Sequence, residues 1–115
     1  MIRNEKIARR MKWEIYSATF GCPMIQLDNK ECFRLDNLGQ NTPAGLWLAK
    51  LLQAKMVADG WVICMQAMTA GKETWITYFA DRSEPKHLHH IVNADTEPAA
   101  IVELFCKVYR IADEN

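Results

Sequence analysis

The chain has 115 residues, half of them hydrophobic, and its 14 basic and 14 acidic side chains cancel to a formal net charge of zero. That length suits one domain, residues 1–115, with a core that needs no metal or disulfide staple. The balance excludes intrinsic disorder and collagen-like or low-complexity fibres, and it argues against a protein that coats duplex nucleic acid.

Residues 3–12 read as a first helix, with Ile7, Ala8 and Met11 on one side and charged residues between them. Trp13–Tyr16 can be extended, and Gly21 and Pro23 then punctuate the chain. Met24–Leu27 and Cys32–Leu35 are short apolar runs separated by Asp28-Asn29-Lys30, which predicts a hairpin. Thr42-Pro43 opens a second helix, with a capping hydroxyl followed by a proline suited to the first turn. Gly60 ends it. Ala44, Trp47, Leu48, Leu51, Leu52 and Ala58 form its expected apolar arc, with Leu46 and Val57 opposite. Lys55 lies within the arc with Asp59 one turn on; its stem is expected to run along apolar surface with the amine in water, the alternative being that the pair sits at a subunit or ligand boundary.

Trp61–Met68 and Glu73–Ala80 are the clearest strands, joined through Ala70-Gly71. Both faces of these strands carry apolar side chains, with Trp61, Ile63, Met65 and Ala67 on one and Val62, Cys64 and Met68 on the other, the pattern of a strand lying between two layers or in an interface. Leu88–Val92 forms a further short strand. Asp95-Thr96-Glu97-Pro98 caps a third helix over 98–112, striped by Ile101, Leu104, Phe105, Val108 and Ala112. Short consecutive strands with helices at both ends predict an α+β domain built on a small antiparallel sheet with three helices.

Cys22, Cys32, Cys64 and Cys106 match no zinc-ribbon or redox spacing. The amino-terminal residues carry no apolar segment of the secretory type, so the expected setting is cytoplasmic, with reduced and mostly buried thiols. No apolar run approaches the ~20 residues of a membrane span.

Ile7-Ala8-x-x-Met11-Lys12-Trp13 resembles the helix and tryptophan that open the small phage-encoded ABA sandwich domains. Asn93-Ala94-Asp95-Thr96-Glu97-Pro98-Ala99-Ala100-Ile101 resembles the signature that starts their last helix. The helix from Pro43 and the hairpin from Trp61 fall between them in the expected order. The likeness covers both ends and the centre; residues 17–40 and 84–90 have no counterpart, and the family usually carries glycine where Lys12 stands. It implies a phage or prophage origin and a layered α-β-α sandwich. It implies no activity, and fold does not supply one.

His87-x-His89-His90 is the most tempting chemical cluster, because neutral imidazoles ligate zinc or nickel and His87 and His89 would share a strand face. No further ligand stands at a fixed spacing from them, so no metal is expected. The chain shows no nucleophile elbow, Walker loop or dinucleotide fingerprint, so no catalytic residue and no cofactor are expected. Trp75, with Arg82, Lys86, His87 and His89 beyond it, is the candidate binding surface for a small anionic ligand or a partner. Trp47 and Trp61 are assigned to packing.

The expected function is therefore a non-catalytic phage or prophage binding protein, acting in counter-defence by blocking a host immunity protein. The alternatives are an oligomeric sponge for a nucleotide-like immune signal, which requires basic and aromatic residues lining a pocket, and a metal-dependent hydrolase using the histidine cluster. A homodimer is expected, with Leu46 and Val57 in the contact, because a monomer rarely exposes a broad apolar face.

Overall fold

The first helix, α1 (Ile2–Arg10), buries Ile7 and Ala8 completely and places Arg9 and Arg10 in its last turn, where cations complement the helix dipole. The structure, a computed structural model, describes residues 2–17, 21–84 and 86–112. Helix α1 ends in a turn with two characteristic hydrogen bonds. Trp13 N donates to Ala8 O and Lys12 N to Arg9 O, with Lys12 at φ +62°.

Three short strands follow, β1 (Glu14–Ser17), β2 (Pro23–Gln26) and β3 (Cys32–Arg34). They pair antiparallel in chain order, with Ile15 opposite Ile25 and Ile25 opposite Phe33. The Asp28-Asn29-Lys30 turn is present as expected: Glu31 N donates to Asn29 Oδ1 at 3.0 Å, and Lys30 takes φ +72°. A 3₁₀ turn at Leu35–Asn37 receives the Asn4 side-chain amide of α1 on Leu35 O at 3.2 Å.

Helix α2 (Pro43–Ala58) starts as its sequence predicts, with Thr42 Oγ1 accepting from Gly45 N at 3.0 Å. Gly45 is required by space: a Cβ there would lie 1.8 Å from Gln40 O. The buried side of α2 is Gly45, Leu48, Ala49, Leu52 and Met56, rotated from the expected arc. Trp47, assigned to packing, is 43% exposed, and Ala58 is exposed. Apolar residues surround this helix on nearly every side, so periodicity could not fix the buried stripe.

Strands β4 (Val62–Ala70), β5 (Glu73–Arg82) and β6 (Leu88–Ala94) form a second antiparallel sheet in chain order. Helix α3 (Glu97–Val108) packs on β5, β6 and α2, burying Ile101, Val102, Leu104 and Phe105. Each such side chain contributes about 1.5–3 kcal/mol of hydrophobic stabilisation. Thr96 precedes α3 with an extended backbone but without the expected side-chain cap; Pro98 fills the first turn. Tyr78 Oη donates to Glu97 Oε1 at 2.9 Å, tying the sheet to the start of α3.

The architecture is α+β with three helices and antiparallel sheets. The strands divide into two sheets of three, where the sequence predicted one, and no strand pairing joins them among the described residues. The physical reason is the intervening α2: the chain leaves β3, crosses the 3₁₀ turn and a full helix, and begins the second sheet elsewhere. One buried cluster draws on all three helices and both sheets. Tyr78, Ala80 and Val92 are buried on the helix side of the larger sheet. On its other side Val62 is 62% and Ile91 43% exposed. Cys64–Ala67 of the β4–β5 hairpin are exposed, and the Cα radius of gyration of 14.7 Å exceeds the ~13 Å typical of this length.

The four cysteines are unbridged; Cys106 is buried, but Cys32 and Cys64 are exposed and Cys22 is half-buried, which corrects the expectation of mostly buried thiols. Among the described residues no helix is long and apolar enough to cross a membrane.

Candidate functional site

The predicted binding residues separate in space. Strand alternation sends Asp81 and its register partner His89 to the open face of the larger sheet, and Arg82 and His90 to the helix face. His89 Nδ1 lies 2.6 Å from Asp81 Oδ1, and His87 Nε2 lies 3.8 Å from the same oxygen. The Phe79 and His89 rings are 6.1 Å apart. His90 instead stacks at a tilt on Trp61, with ring centroids 5.4 Å apart. Lys86 is exposed on the loop between β5 and β6. Trp75 is half-buried near the far end of β5, and the six residues to Asp81 span about 20 Å. Trp75 therefore does not join Arg82, Lys86 or the histidines. Among the described residues no group of three or more ligating side chains is placed to hold a metal ion.

Arg82 leads to a different site. Its guanidinium carbon lies 5.9 Å from the Trp61 ring, and its Nε donates to Glu84 O at 2.8 Å. It borders a cleft of about 340 Å³ with Arg10, Asp59, Trp61, His90, Tyr109 and Arg110. The three helices deliver Arg10, Asp59, Tyr109 and Arg110 from their carboxyl ends, and the larger sheet supplies Arg82 and His90. Arg10 is the last residue of α1 and sits 4.5 Å over the Tyr109 ring. Asp59 caps α2 and Tyr109 caps α3. Gly60 and Arg110 follow in left-handed turns, at φ +96° and +55°.

Asp59 organises the floor. It accepts a short hydrogen bond from Tyr109 Oη and pairs with Lys55 Nζ at 3.3 Å. The Tyr109 bond, followed by Lys55 and Arg10, holds the Asp59 carboxyl below its ordinary pKa of 3.8 despite partial burial. Burial, then the Asp59 charge, pushes the Tyr109 phenol above its ordinary range. Burial lowers the His90 pKa, helped by Lys107, His89 and Arg110, so the imidazole is neutral near pH 7.

The arginines also neutralise the carboxyl ends of the helices, each worth roughly half a negative charge. Three such ends and Asp59 do not fully cancel the three guanidinium groups, so the cleft keeps a small positive surplus. Two wider concavities differ in character. One of about 520 Å³ runs past Met11, Trp13, Trp47 and Leu51 and is mainly apolar. One of about 750 Å³ follows β6 and α3, where Lys107 Nζ already donates to Ile91 O.

No family model matches the chain, and no curated protein or solved structure matches it.

Of the predicted residues, Arg82 and, from the histidine cluster, His90 belong to the cleft, and Trp61, expected only to pack, is both 5% exposed and one of its walls. Arg10, Tyr109 and Arg110 carry no ligand expectation from the sequence, and Asp59 carries one only as the alternative reading of its pairing with Lys55. The available signal was position: each lies within two residues of a helix end, and Lys55–Asp59 already stood as a charged pair within the apolar arc of α2.

Proposed function

We propose that the protein is a non-catalytic binding protein that captures a small anionic ligand of the nucleotide class in the cleft at the three helix ends. The observation that carries this reading is the convergence of Arg10, Arg82 and Arg110 with Trp61, His90 and Tyr109 on one concavity. Guanidinium groups bind phosphate through paired donors in a fixed fork. Indole and imidazole rings offer a face or edge to a base. The residues lining the cleft include no serine, threonine or cysteine, which suits capture better than turnover.

In the setting that the phage resemblance suggests, this is the sponge form of counter-defence, acting in the host cytoplasm on a nucleotide-like immune signal. A second reading, an inhibitor that covers a host immunity protein, is favoured by the exposed Val62 and Ile91 on the open face of the larger sheet.

Calorimetric titration with ATP, a cyclic dinucleotide and inorganic phosphate tests the first reading. We expect micromolar binding of at least one nucleotide, weaker binding of phosphate, and weakening with added salt. Arg82→Ala removes a charge-assisted contact worth about 1.5–3 kcal/mol and is expected to cost at least about tenfold in affinity. Absence of binding by all three probes, with one host protein co-purifying instead, would overturn the sponge reading in favour of the inhibitor.

A further inference from the structure

The two edges of the larger sheet are treated differently. At the β6 edge, Lys107 Nζ occupies the Ile91 carbonyl at 3.1 Å, and the strand carries His89, His90 and Asn93. These features block addition of another strand. Strand β4 forms the opposite edge, and among the described residues no strand pairs with its free side. Over nine residues, Val-Ile-Cys-Met-Gln-Ala-Met-Thr-Ala, it carries no charge and no proline. Along this edge, alternate residues turn backbone N–H and C=O groups outward, with no strand among the described residues to receive them. Val62, Cys64, Met65, Gln66 and Ala67 are exposed beside them. A long, apolar, uncharged edge is the kind that monomers usually guard.

We propose that β4 is the seam of a homodimer, pairing antiparallel with β4 of a second copy so that two three-stranded sheets become one of six. The occupant follows from the strand itself. Antiparallel pairing of identical strands is two-fold symmetric, so each residue type must tolerate its own symmetry mate or the position mirrored across the axis. A strand without charges meets that condition at every register. Full overlap of Val62–Ala70 places the axis at Gln66, the middle residue. There Gln66 faces the partner's Gln66, and an amide both donates and accepts, so it is its own complement. Val62 then falls opposite the partner's Ala70. The seam is the edge of β4 rather than Leu46 and Val57 on α2, where the sequence placed the contact. The main-chain ladder supplies affinity, as in other strand-addition interfaces.

Light scattering of the full chain at tens of micromolar is the test, with Gln66→Lys and Val57→Glu as variants. We expect a mass near twice 13.2 kDa for the unmodified protein, a fall to one chain mass for Gln66→Lys, and no change for Val57→Glu. Circular dichroism checks that both variants fold. A disulfide between copies of Gln66→Cys, in a Cys64→Ser background, reads the register without depending on the lysine variant. A single-chain mass for the unmodified protein would overturn the proposal. So would a dimer that Val57→Glu breaks and Gln66→Lys does not, a dimer indifferent to both, or a failure of Gln66→Cys to cross-link.

Discussion

Helices α2 and α3 finish with the same backbone turn but with different residues in it. After α2, Gly60 N donates to Val57 O and Trp61 N to Met56 O; after α3, Arg110 N donates to Lys107 O and Ile111 N to Cys106 O. The turn at α2 sits at φ +96°, outside the left-handed well that side chains tolerate, so glycine is demanded by backbone sterics. A Cβ there would have space, its nearest neighbour being Arg82 Nε at 3.9 Å. The turn at α3 sits at φ +55°, inside the well, where an arginine costs roughly 1–2 kcal/mol relative to an unstrained residue. The same turn at α1 holds Lys12 at φ +62°. Glycine at Gly60 is therefore a folding requirement. Arginine at Arg110 works against the turn, and on our reading it is there for its guanidinium at the cleft.

The comparison breaks if Gly60 is dispensable. Gly60→Ala is expected to lower unfolding free energy by about 1–3 kcal/mol, measured by urea denaturation. A loss under about 0.5 kcal/mol would remove the contrast with α3.

The next effect concerns the bond that joins the two turns. Tyr109→Phe removes the donor to Asp59 and is expected to cost about 1 kcal/mol, less than the ~1.5–3 kcal/mol of a bond to a charged group because Asp59 is about one-third exposed and solvent screens it. The acid limb carries the sign. The folded-state pKa of Asp59 is depressed, so its contribution is complete above the unfolded value of 3.8 and is lost as the pH falls through the lower folded value. Tyr109→Phe should flatten that limb of the stability–pH curve, and an unchanged limb would remove Tyr109 as the main cause of the Asp59 shift.

Much of this architecture is legible in the sequence, because its signals are local. Thr42-Pro43 marks the start of α2 and Gly60 its end, Asp28-Asn29-Lys30 turns the small hairpin, and the stripe of Ile101, Leu104 and Phe105 gives α3 its buried face. The side of α2 that is buried was not legible, because its apolar residues are spread around the axis. The division into two sheets depends on where α2 carries the chain, which local pattern does not encode. The cleft depends on distance too: Arg10, Arg82 and Arg110 meet only when three helix ends and β5 converge. The histidine run misled for a simple reason: on a strand, neighbours point to opposite faces, so His89 and His90 do not share a site.

A smaller effect sharpens the contrast from the α1 side. Lys12 has the same left-handed strain as Arg110 but lies beside the apolar concavity next to Trp47, outside the cleft. Lys12→Gly is expected to stabilise the protein by about 0.5–1 kcal/mol and to leave nucleotide affinity unchanged. Loss of affinity would show that the positive field is spread over the whole helix-end surface.

Arg110→Gly tests the central claim most directly, read in one preparation by urea denaturation and by nucleotide titration. The account predicts opposite signs: a fold more stable by about 0.5–1 kcal/mol as the left-handed strain is relieved, and affinity lower by at least about tenfold as a phosphate contact is lost. Increased stability with unchanged affinity would contradict it, leaving Arg110 as a helix-end residue with no part in ligand capture.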